Sequence, residues 1–78
     1  MTEVIPDQTL DVRGTISPMP VVRAAKAMKT LHAGAVLEVL ASDSAIGTDV
    51  REWSTAAGHE LISVAEEKGT WRVLLRKS

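Results

Sequence analysis

The residues in this chain best placed to do chemistry are Ser17-Pro18-Met19-Pro20. With Ser17 as an N-cap, Pro18 becomes the first helical residue, where its fixed φ fits and its missing N–H costs nothing. The backbone donors left over at that end belong to residues 17 to 20, and two of these are prolines. Only the amides of Ser17 and Met19 then face the tip, at the positive end of a helix dipole. Such a place suits an anion. A cysteine thiol there would fall from about 8.5 into the range of roughly 3.5–7.5 found at helix N-termini. A serine hydroxyl is far too weak an acid for a dipole interaction worth about 0.3–1 kcal/mol to ionise it. Serving as a nucleophile would require an adjacent base and an orienting acid, and neither His32 nor His59 is near Ser17 in sequence. The position is prepared for chemistry that serine does not perform.

Around the motif, Arg13 and Gly14 precede it and Met19 is a possible apolar contact point. Arg23, Lys26 and Lys29 recur at helical spacing just behind it. They form either a solvated helix face or a docking ridge for an acidic partner, helped by Arg13. Asp43 reads as a helix cap or turn residue, His59 as structural, and Trp53 and Trp71 as core.

The elements that must position these residues follow from periodicity. A period of two predicts a strand over 8–13, closed by Gly14. Val21, Ala24, Ala25, Met28 and Leu31 form one apolar stripe, which predicts a helix over 18–32 ended by Gly34. A nearly all-apolar run predicts a central strand over 35–41. Ile46, Val50, Trp53 and Ala57 predict a second helix over 45–57, stopped by Gly58. Strands over 59–67 and 70–77 flank a Lys68-Gly69 turn. The order β-α-β-α-β-β, with short connections, predicts an α+β fold. Its form is a two-layer α/β sandwich, a mixed four-stranded sheet with two helices on one face. Residues 1–78 read as a single domain with 1–7 as an N-terminal tail.

Composition narrows the function classes. With no cysteine and two histidines, the chain offers no disulfide and no structural zinc site, so the expectation is no metal and no cofactor. Two tryptophans without Phe or Tyr, and a net charge of −1, argue against base stacking and against direct nucleic-acid binding. No signal peptide or membrane span is legible, so a cytoplasmic monomer with no membrane partner is the expectation.

The stretch Asp11-Val12-Arg13-Gly14-Thr15-Ile16-Ser17-Pro18-Met19-Pro20-Val21-Val22 resembles the TusA/SirA sulfur-carrier signature, in which Asp-x-x-Gly runs into Cys-Pro-x-Pro. The likeness continues through Gly34 to Val39, Asp43-Ser44-Ala45, Asp49-Val50-x-x-Trp53, Gly58 to Leu61 and Val73 to Lys77. The resemblance implies a domain whose motif cysteine accepts persulfide sulfur from a cysteine desulfurase or rhodanese-type donor. That cysteine then relays the sulfur to an acceptor protein, for tRNA thiolation or dissimilatory sulfur transfer. Ser17 matches that cysteine, Pro18 and Pro20 the prolines, and Gly14 the preceding glycine. The chain departs from the pattern at Ser17, at Ser44 where many relatives have proline, and at Ser54 where relatives often have a second cysteine. As written it is expected to be unable to carry sulfur. A deliberate cysteine-to-serine exchange and a natural relative without the thiol both account for Ser17. Two other classes stay open, a non-catalytic binding or regulatory module and a small RNA-binding domain of similar arrangement.

Overall fold

A computed structural model describes residues 4–78; the first three residues of the expected tail lie outside it. The elements run β1 (Gln8–Asp11), α1 (Met19–Lys29), β2 (Val36–Ala41), α2 (Ile46–Ala57), β3 (Glu60–Glu67) and β4 (Thr70–Arg76). They form one sheet in the order β1-β2-β4-β3. β1 pairs parallel with β2, while β4 pairs antiparallel with both β2 and β3. β4 therefore runs against the other three strands, and β2 is central as its apolar run predicts. β2 and β3 are parallel but separated by β4, which the hairpin slips between them.

Alternation along the strands explains the two layers. Leu37, Val39 and Ala41 of β2 and Val73 and Leu75 of β4 are wholly buried. They pack with Ala24 and Met28 of α1, Ile46 and Val50 of α2, and Val12 beyond β1. The opposite face carries Thr9, Glu38 and Arg72, where Glu38 pairs with Arg72 and accepts a hydrogen bond from Thr9. Two helices cover one side, and the second side is wetter. At the tip of the last hairpin Lys68 and Gly69 both take positive φ, 53° and 84°. That conformation matches the twist of the flanking strands and needs glycine at the second position.

Three local expectations are corrected. α1 ends at Lys29 with Thr30 as C-cap, not at Gly34. Thr30 Oγ1 donates to the Ala27 carbonyl, and the Thr30 and Leu31 amides bond to Ala27 and Met28, tightening the last turn. Gly34 instead joins the sheet end, its amide donating to the Lys77 carbonyl. In α2 the deeply buried third position is Ser54, whereas Trp53 is half-buried and Ala57 exposed. The helix turns its hydroxyl inward, where Ser54 Oγ donates to the Arg51 carbonyl. Trp71 is likewise half-buried, packing on the rim of the core.

Candidate functional site

Residues 12–18 form the loop from β1 into α1. Gly14 has φ 89°, a left-handed turn that a side chain would strain, and it sends the chain back toward the β2–α2 turn. There three acceptors meet the loop. Ser42 Oγ accepts the Gly14 amide at 2.9 Å, Asp43 Oδ2 accepts the Ser17 amide at 2.7 Å, and Asp49 Oδ2 accepts Ser17 Oγ–H at 2.5 Å. Asp43 also serves its own turn, its Oδ1 accepting the Ala45 amide. Those two backbone donors, Ala45 first and Ser17 second, hold the Asp43 carboxyl below its ordinary value.

The helix cap lies one residue later than the sequence suggests. Pro18 is the N-cap, with no side-chain cap bond, and Met19 is the first helical residue. Its amide donates to the Ile16 carbonyl at 2.9 Å. Both amides expected to face an anion are thus already bonded, Met19 to a carbonyl and Ser17 to a carboxylate. The Ser17–Pro18 peptide is cis. The electrostatics at residue 17 combine the positive end of α1 with two carboxylates in hydrogen-bond contact.

The sequence-selected residues divide into groups. Ser17 and Pro18 are exposed and line a shallow hollow of about 360 Å³ with Val21, Asp49, Glu52 and Trp53. Met19 is 45% exposed, beside Ile16 at 74% and Val22 at 40%, an apolar fringe around the loop. Pro20 is buried and anchors the first turn. Arg13 turns away from the loop, its Nε and Nη2 donating to Asp11 at 3.0 and 2.7 Å. That guanidinium holds the Asp11 carboxyl down at about 2. Arg23, Lys26 and Lys29 are exposed, and none forms an ion pair among the described residues. A larger hollow of about 460 Å³ lies at the β3–β4 end, lined by residues such as Leu40, Glu67, Thr70 and Arg72. It contains none of the motif.

Asp49, Ser42 and the bridging role of Asp43 were missed by sequence reasoning. Asp49 stands 32 positions from its partner, and only its place in the first turn of α2, one turn from Trp53, hinted at a shared surface. His59 hydrogen-bonds with Ser78 and packs its ring 5.4 Å from Trp53, serving the chain end rather than Ser17. The two tryptophans lie on the helix side, so the open sheet face presents no aromatic platform for bases.

A four-stranded mixed sheet backed by two helices, with an exposed motif loop leading into the first, places the chain among small two-layer α/β domains. A family model described as "Sulfurtransferase TusA" matches residues 8–77. The chain is 40% identical over 77 residues to the sulfur carrier protein TusA of Pseudomonas entomophila, covering 99% of this chain and 96% of that one. It is 36% identical, with the same coverage, to the TusA of Pseudomonas putida strain W619. The crystal structure of a SirA-like protein from Desulfitobacterium hafniense superposes with a TM-score of 0.77 at 25% identity, covering 88% of this chain and 95% of that one. The chain belongs to the TusA family.

Proposed function

We propose that this domain is built as a sulfur carrier around position 17, and that with serine there it docks with sulfur-relay proteins but takes no sulfur. The observation that carries the reading is the exposed residue 17, held by Asp43 and Asp49 and fringed by Ile16, Met19 and Val22. Exposed apolar side chains around a reactive point give a partner something to bury. In the cysteine form the Cys thiolate attacks the outer sulfur of a donor persulfide. The new S–S bond forms as the old one breaks, and the electron pair leaves on the donor thiolate. That thiolate takes up the proton the incoming thiol gave away, so there is no net oxidation. Serine has no equivalent step, since its oxygen cannot form the S–S bond of a persulfide and its hydroxyl is far too weak an acid to supply the attacking anion. Partners of this class are a cysteine desulfurase or rhodanese-type donor and a downstream acceptor protein. The reading extends to either a tRNA-thiolation or a dissimilatory route.

A second reading, a binding module that works without sulfur, is favoured by one observation. The Ser17 hydroxyl makes a close hydrogen bond to Asp49 that a thiol makes only weakly. Loading separates the two. Ser17→Cys, incubated with a persulfide donor, is expected to gain one sulfur atom by intact mass while the serine chain stays unchanged. A cysteine form that binds donors yet never gains sulfur contradicts the carrier reading and leaves the binding module.

A further inference from the structure

Among the described residues, the hydrogen bond from Ser17 Oγ to Asp49 is the one made by a side chain of the Ser17-Pro18-Met19-Pro20 motif. The remaining charges near residue 17 point the same way. Asp43 contacts it from the β2–α2 turn, and Glu52 lines the same hollow from α2. The nearest cation in sequence, Arg13, is spent on Asp11, and Arg23 projects from α1 into solvent. Against these stands the α1 dipole, equivalent to roughly half an elementary charge and one residue further away than a Ser17 cap would put it. A full negative charge in contact outweighs a half charge at a distance.

We propose that Asp49 is the positioning residue of the motif: its carboxylate lies against the side chain at 17 and opposes a second negative charge there, so that a thiol rests protonated rather than as a thiolate. This deepens the carrier reading, on which it rests. A resting thiol is guarded from oxidation and stray alkylation, because the thiolate is the reactive form. It is also the opposite of what a free helix N-terminus produces.

The test uses Ser17→Cys alone and combined with Asp49→Asn or Asp49→Glu. Thiol titration is followed by thiolate ultraviolet absorbance and by alkylation rate against pH, with circular dichroism confirming the fold. The single variant is expected to titrate at or above about 8.5. Asp49→Asn is expected to lower that by one unit or more, about tenfold more thiolate and tenfold faster alkylation at a pH below both values. Asp49→Glu is expected to stay high. A single variant that titrates below about 8.5, or a value that Asp49→Asn leaves unmoved, overturns the proposal. Should Asp49→Asn not fold, the single variant and Asp49→Glu decide it by the same threshold. Persulfide loading is measured separately on each thiol form. Thiols that titrate as proposed but take no sulfur would sink the carrier reading while leaving Asp49 in its role.

Discussion

The chain begins its two helices in contrasting ways. α2 starts from its own resources: Ile46, its first residue, is 2% exposed, Asp49 brings a negative charge to the first turn, and Asp43 accepts the amide of Ala45. α1 has no acidic residue in its first turn, an exposed Met19 as its first residue, and only Pro20 buried there. The Gly14 and Ser17 amides and the Ser17 hydroxyl of its leading loop are served by Ser42, Asp43 and Asp49, all from the α2 side. The motif is therefore presented by a helix start that borrows its acceptors. Its exposure is possible because the neighbouring start is secure.

The contrast breaks most visibly at the apolar anchor. Ile46→Ala is expected to cost about 2–5 kcal/mol in urea denaturation, as for other large-to-small core changes. Because Asp43, in the turn that leads into α2, accepts the Ser17 amide, that amide should lose its exchange protection along with α2, although Ile46 is remote from it in sequence. A loss confined to α2 would show the two starts to be independent.

Removing one shared acceptor sharpens the comparison. Asp43→Asn should perturb both starts at once, moving the Ser17 and Ala45 amide resonances together. The pH dependence has a definite sign. The folded carboxyl of Asp43 lies below its ordinary 3.8, so its contribution is present above that value and lost as pH falls through the lower folded one. Both amides should shift below pH 3.8 in the parent, and neither should show that step in Asp43→Asn. A step at only one amide would mean the bridge is not shared. The smallest effect belongs to the exposed face of α1. Reversing Lys26 and Lys29 to glutamate should change stability within about 0.5 kcal/mol. If these residues steer partners, association with a donor enzyme slows, chiefly at low salt. A rate unchanged across salt leaves them a solvated face.

Most of the fold was legible because its signals are local. The predicted strand over 35–41 became Val36–Ala41, and the helix over 45–57 became Ile46–Ala57. The end of α1 was misplaced because a side-chain bond from Thr30 and a tightened turn stop it before the glycine that looked like a cap. Ser54 was hidden because a hydroxyl that bonds within its own helix can be buried as easily as an apolar group. At the site, sequence located the motif but not its surroundings. Ser17 meets Asp43 and Asp49 across 26 and 32 residues, contacts that exist only once the two helices lie on the same face. A dipole can be inferred from one helix; the carboxylates opposing it cannot.

The claim at the centre is that position 17, and not merely any cysteine on this domain, is where sulfur is taken. Ser54 is the natural comparison, since it lies in the same fold but is 2% exposed inside α2. Ser17→Cys and Ser54→Cys, each exposed to the same persulfidated donor protein under the same conditions, can be read side by side by intact mass. One added sulfur atom on the first and none on the second is the expected result. Equal loading of both, or loading of Ser54→Cys alone, would contradict it.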